Sequence, residues 1–212
     1  MTHDNKATRT TKRRYNRVAP LYDLMESLVE SSRYSSWREL LWSKIEGSQI
    51  LEVGVGTGKN FPFYPLDVEM TAIDFSEKMF ARAQSRAQRD NVKVDLQQVD
   101  VQNLHFENNT FDTVVETFVF CSVPDPIRGL QEIKRVCKPG GKVIMLEHML
   151  SSNRIAGLLM NLANPMVVHM MGANINRRTV ANVSRSGLVL EQVTDLSLGI
   201  FKLIEARKLT GE

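Results

Sequence analysis

An apolar run, Ile50-Leu51-Glu52-Val53, passes without a break into Gly54-Val55-Gly56-Thr57-Gly58, so that three glycines stand at alternate positions directly after a strand-like segment. Residues without Cβ let the backbone turn tightly and approach a ligand closely, and the junction therefore predicts a strand-to-loop binding site. A dinucleotide fold would carry its next glycine at position 59, completing GxGxxG, where this chain has Lys59. The spacing is GxGxG instead. Glu52, just before it, sets an acid where a diphosphate would be repelled, which predicts a cationic or zwitterionic ligand.

The rest of the chain reads as a sheet built around that loop. Short apolar runs near 49–53, 69–73, 93–98, 111–116 and 142–147 predict strands, with helical patterns near 76–89 and 126–137 between them. Such alternation argues for a parallel α/β sheet. Two further β-like runs, Leu188 to Val193 and Ile200 to Ala206, are separated by Thr194 to Gly199, a link short enough for an antiparallel hairpin. Ahead of the sheet, Leu21, Leu24, Met25 and Leu28 recur at helical spacing, and Trp37, Leu40, Leu41 and Ile45 nearly so, predicting an amphipathic helical cover.

A length of 212 residues with 42% hydrophobic content suits one domain. It divides into a cover (1–47), a ligand-binding core (48–150), a flap (151–187) and an edge hairpin (188–212). No repeat or low-complexity stretch breaks it.

Two more acids fall at predicted strand ends. Asp74 lies 20 residues after Gly54, where a carboxylate can accept both hydroxyls of a ribose. Asp100 closes the third strand, where it can accept from an exocyclic amine such as adenine N6. Either alone reads equally well as a strand-end cap. Together with Glu52 and the glycine loop they point to a ligand, because open α/β sheets bind at the carboxyl ends of their strands.

With these residues in place the sequence resembles the class I S-adenosylmethionine-dependent methyltransferases. Glu52 to Gly58 is similar to that family's cofactor loop, Ala72-Ile73-Asp74-Phe75-Ser76 to its ribose site, and Asp100-Val101 to its adenine site. Arg135 to Gly141 resembles the family's turn before strand five. The chain departs from the pattern at Val99, where glycine is common, and at His105, where relatives often have proline. The resemblance implies a doubly wound, seven-stranded, mostly parallel Rossmann-like sheet with S-adenosylmethionine as cofactor. Its expected contacts are Glu52, Gly54, Gly56, Gly58, Asp74, Phe75, Asp100 and Val101, with no metal.

Within that superfamily, Tyr15 to Asp23 is similar to the opening of quinone C-methyltransferases and bacterial phospholipid N-methyltransferases. Phe111 to Val115, Cys121 to Pro124 and Leu146 to His148 resemble membrane-associated alkyl-thiol methyltransferases. The resemblance leaves an amine, a carbon nucleophile and a thiol open as acceptors, and implies a lipid-like acceptor with phosphatidylethanolamine first. A protein that keeps the cofactor site without turnover is the reading from another class.

Charge bears on the partner. Lys6, Arg9, Lys12, Arg13, Arg14 and Arg17 oppose only Asp4 in the first 17 residues, so the positive charge is a local arm. A broad basic stripe is lacking, which disfavours nucleic acid, and an anionic membrane surface fits better. Cys121 and Cys137 match no zinc or CxxC motif, and the amino terminus has no signal-peptide core, so a cytoplasmic, peripherally membrane-associated protein is expected.

From Ile155 to Asn176 no Asp, Glu, Lys or Arg occurs, while Met160, Met166, Met170 and Met171 do. The length would suffice for a membrane span, but Asn161, Asn164, Pro165, His169, Asn174 and Asn176 make the stretch too polar and broken. An adaptable methionine-rich flap over the acceptor is expected, against the alternative of an ordinary core helix. Tyr22 and His148 are the candidate bases, the histidine because its ordinary pKa lies near 6.5. Each reads equally as a structural residue. So do Glu116 and Glu147, at the ends of strands four and five, and Cys121 reads as a small buried hydrophobe.

Overall fold

Alternate residues along the central strands are apolar on both sides, which suits a sheet covered by helices on both faces. The computed structural model describes residues 8–14, 16, 17 and 32–211. Its strands are β1 (Gln49–Val53), β2 (Glu69–Asp74), β3 (Asp95–Gln98), β4 (Phe111–Thr117), β5 (Cys137–His148), β6 (Val189–Ser197) and β7 (Phe201–Arg207). They form one sheet in the order β3-β2-β1-β4-β5-β7-β6. The first five pair in parallel, and β7 lies antiparallel to both β5 and β6.

Helix α1 (Ser32–Trp42) lays Trp37, Leu41 and Trp42 on Ile50, Val115, Ile144 and Leu146 of one face. On the same side α2 (Glu77–Arg89) packs Ala83 and Ala87 against Ala72 and Val55, its start capped by the Ser76 hydroxyl accepting from the Met79 amide. Small residues there let the helix sit close to the sheet. Helix α3 (Pro126–Val136) covers the opposite face, packing Leu130, Ile133 and Val136 on Val53, Val114, Val143 and Met145. Pro126 opens it, and the Asp125 side chain accepts from the Arg128 amide. The short α5 (Thr179–Arg185) adds Val183 to that layer, and α4 (Arg154–Met171) precedes it.

The seven-stranded, mostly parallel doubly wound sheet with an antiparallel edge is as the sequence predicts. Local boundaries differ. The third strand begins at Asp95, and the third helix stops at Val136 because Cys137 already pairs with Phe111. The expected turn before strand five is a bulge inside a 12-residue strand, since pairing resumes only at Thr113 with Lys142. The hairpin link is also tighter than Thr194 to Gly199: Leu198 and Gly199 take positive φ, and strand pairing continues to Ser197 with Phe201.

Candidate active site

Gly54, Gly56 and Gly58 all sit at positive φ, a region that side chains disfavour. At Gly54 the reason is also steric, for a Cβ there would lie 2.3 Å from Val119 Cγ2. The loop is tied to β2, with the amides of Gly54 and Val55 both donating to the Ile73 carbonyl at 2.8 and 2.9 Å. The Gly56 amide donates to Asp74 Oδ2 at 2.9 Å, and the Ser76 amide to Asp74 Oδ1 at 2.8 Å. Asp74 thus ties the glycine loop to the turn after β2, with backbone donors from Gly56, Ser76 and Phe75, and its carboxylate still faces the cleft. Its burial pushes the pKa up to about 6, against the pull of these amides.

A cleft of about 370 Å³ opens at the carboxyl ends of the first four strands. Val53 and Gly54 line it from β1, Ile73, Asp74 and Phe75 from β2, and Val99, Asp100, Val101 and Gln102 from the turn after β3. Val119, Ser122, Val123 and Pro124 close it from the loop after β4, and Thr8 covers it from the amino-terminal helical stretch. The structure therefore brings together Gly54, Asp74, Phe75, Asp100 and Val101. Asp100 is held in place by the Gln102 amide at 2.9 Å and by Gln102 Nε2 at about 3 Å, and the same Nε2 reaches Thr8 Oγ1 at 3.3 Å. A ribose-facing acid, a second acid one strand farther out and a glycine backbone in an otherwise apolar cleft fit an adenosine carrying a charged tail.

Several expected site residues lie elsewhere. Glu52, expected beside the ligand, is not on the cleft lining. It is buried beneath the loop, where Oε1 accepts from Asn60 Nδ2 at 2.6 Å and Oε2 takes the Tyr64 hydroxyl. Asn60 in turn accepts from Arg38 Nη1 at 2.7 Å, so a polar ladder joins α1, the Phe61–Phe63 turn and β1. Burial raises the Glu52 pKa to about 7, with Tyr64, Asn60 and Arg38 opposing the shift. Gly56 and Gly58 shape the loop behind the cleft. Tyr22 lies outside the described residues.

His148 is the last residue of β5, stacked on Phe118 with ring centroids 6.1 Å apart, and it is not on the cleft lining. Burial lowers its pKa, so the ring is neutral at pH 7. Phe118 takes φ +57°, costly for a bulky residue, and the loop it begins is fixed from below. The Val119 amide donates to Glu116 Oε2 at 3.1 Å and the Phe120 amide to Glu147 Oε1 at 2.6 Å. Glu116 pairs with Met145 across β4 and β5, so Glu147, two residues on, shares its face. Burial and mutual repulsion push the Glu116 carboxyl well up, and burial raises Glu147. A proton held between them leaves the pair short of full charge. Cys121 is a buried free thiol, as its reading as a hydrophobe implies.

Sequence reasoning missed Thr8, Gln102, Val119 and Ser122. Gln102 alone had a local signal, two residues past Asp100. The others reach the cleft through chain segments far apart in sequence.

Residues 51–145 match the family described as methyltransferase domain. The chain belongs to the class I S-adenosylmethionine-dependent methyltransferases. It is 43% identical over 104 residues to a phosphatidylethanolamine N-methyltransferase of Cereibacter sphaeroides, a match covering 48% of this chain and 51% of that protein. It is 34% identical over 153 residues to a demethylmenaquinone methyltransferase of Staphylococcus aureus, covering 68% and 63% respectively. The chain thus spans between half and two thirds of the length of these curated relatives. Among solved structures, an S-adenosylmethionine-dependent methyltransferase of Thermotoga maritima superposes with a TM-score of 0.70 at 19% identity, covering 93% of this chain and 99% of that one. The last likeness is one of fold. The cofactor of this methyltransferase family is S-adenosylmethionine, and the cleft residues are those that would hold it.

Proposed function

We propose that this chain transfers a methyl group from S-adenosylmethionine to a membrane-soluble, lipid-like acceptor, with the amine of phosphatidylethanolamine favoured. The observation that carries the reading is the convergence of Gly54, Asp74 and Asp100 on one cleft at the strand ends. The chemistry the cofactor supplies when bound is an activated methyl: its carbon–sulfur bond breaks as the acceptor's lone pair attacks, the bonding pair stays on sulfur and the acceptor's proton leaves to a base. Asp74 would bind and orient the ribose, Asp100 would accept from the adenine amine, and Gly54 would let the chain approach closely. Thr8, Val119 and Val123 shield the reacting centre from water, and rate follows chiefly from positioning.

The amine acceptor is supported by the 43% identity to the phosphatidylethanolamine enzyme. A quinone ring carbon is the second reading, supported by the longer match to the demethylmenaquinone enzyme. The test incubates the protein with methyl-labelled S-adenosylmethionine and vesicles containing either phosphatidylethanolamine or demethylmenaquinone. Label in the phospholipid is the expected result. Label in the quinone selects the second reading, and label in neither, with cofactor bound, removes both and leaves a thiol acceptor or a binding protein without turnover.

A further inference from the structure

Helix α4 presents a row of large apolar side chains to solvent. Its Ile155, Leu158, Leu159, Leu162, Met166 and Met170 are 60–73% exposed, and at about 100° per residue they fall within an arc of roughly 120°. The inner side carries half-buried Met160, Ala163, Val167 and Val168 together with Asn164, and asparagines tie the helix to the chain that follows it. Asn164 Oδ1 accepts from the Ile175 amide at 2.9 Å, and Asn161 Oδ1 accepts from Asn176 Nδ2 at 2.9 Å. The returning segment is itself pinned, Asn174 donating to the Cys121 carbonyl from both its amide and its side chain, at 2.8 and 3.0 Å, and Arg177 Nη2 to the Val123 carbonyl at 2.7 Å. A clasp of asparagines thus holds the apolar face outward from the loop that closes the cleft. The helix is neither a core helix nor a lid folded over the site.

The charge around this face has one sign. From His148 to Leu190 there is no Asp or Glu, while Arg154, Arg177, Arg178 and Arg185 are present. Arg154 and Arg178, at the two ends of the apolar stretch, are exposed. Exposed Arg9, Arg13 and Arg17 belong to the amino-terminal stretch whose Thr8 lines the same cleft. An exposed apolar face on a segment that carries arginines and no Asp or Glu of its own complements an anionic bilayer. A second copy would bring like charge against like.

We propose that the outer face of α4 inserts into the headgroup boundary of an anionic bilayer, lying in its plane, with the cleft mouth beside it. At 18 residues, about 27 Å, and interrupted by Pro165, the helix lies in the interface and does not span it. Among the described residues no helix is long and apolar enough to cross a membrane. The inference extends the lipid-acceptor reading, yet it is tested by binding alone, so the two can fail separately.

The experiment floats the full chain with vesicles of phosphatidylcholine, or of phosphatidylcholine and phosphatidylglycerol in equal parts. The parent should float with the anionic vesicles and far less with the neutral ones. A variant carrying Leu158→Asn, Leu162→Asn and Met166→Asn should lose about tenfold or more in partitioning while binding S-adenosylmethionine as before. In a second arm, Met166→Cys carries a polarity-sensitive fluorophore, Cys121 and Cys137 being buried. Its emission should shift to the blue on anionic vesicles. Undiminished partitioning of the triple variant, or no emission shift, overturns the proposal. So does a parent dimer that the triple variant dissociates with partitioning unchanged. Strong partitioning by a parent that methylates no phospholipid retains this proposal and removes the acceptor reading.

Discussion

Asp74 serves two demands with one carboxyl, bracing the glycine loop through the Gly56 amide and its own turn through the Ser76 amide while facing the cleft where a ribose would sit. Replacing it by Ala should weaken S-adenosylmethionine binding by about 1.5–3 kcal/mol, the range for charge-assisted hydrogen bonds, as read by calorimetry. Because burial raises this carboxyl to about 6, the parent's affinity should fall as pH drops from 7 to 5. Asp74→Asn, which cannot ionise, should bind more weakly at pH 7 and show a flatter profile. An equally steep profile in the Asn variant would assign the titration to another group.

At the scale of elements, the site depends on how closely the β1–loop junction meets the loop after β4. Gly54 at φ +72° touches Val119, so Gly54→Ala should both strain the backbone and push that loop away. Expected costs are about 1–3 kcal/mol in stability and a marked loss of cofactor affinity. Thermal melting and calorimetry on one preparation check both. Unchanged binding would show that the 118–123 segment moves freely, against the hydrogen bonds from Glu116 and Glu147 that hold it.

Across the whole molecule, buried acids make stability depend on pH in an uncommon direction. Glu52 and Asp74 have pKa values raised to about 7 and about 6, and Glu116 is also raised. The folded chain therefore keeps protons that the unfolded chain releases, and stability falls as pH rises from about 4.5 towards 7. His148 opposes this, since its lowered pKa lets the folded state gain stability as pH rises towards 6.5, a contribution complete above that value. Without cofactor, the melting temperature should drop between pH 5.5 and 7.5, and Glu116→Gln should flatten the slope. The amino-terminal stretch is likewise tied to the body, through Thr8 with Gln102, Asn16 with Ser76, and Lys12 with Glu77 at 2.8 Å. Deleting residues 1–17 should weaken cofactor binding as well as vesicle attachment, which a calorimetric titration of the truncated chain measures. Undiminished affinity would return the stretch to a purely peripheral arm.

The sheet, its antiparallel edge and the ligand end were legible in the sequence because they rest on local signals. Alternation of strand and helix, glycines that only positive φ requires, and acids at strand ends are all set within a few residues of one another. Gly54, Asp74 and Asp100 could therefore be named in advance, and the family resemblance added Phe75 and Val101. Glu52 sits off the cleft lining because the side of a strand on which an acid finds its partners depends on Asn60 and Tyr64, which reach it through tertiary packing. Thr8 and Val119 could not be foreseen at the cleft for the same reason, being brought there by the crossing of distant segments. The outward turn of α4 was likewise decided by tertiary structure. Its sequence is apolar around most of its circumference, so periodicity leaves open which side meets the protein, and the bonds of Asn161 and Asn164 to the 174–177 segment fix it. Periodicity describes a helix in its own frame, and long-range contacts fix that frame relative to the rest of the chain.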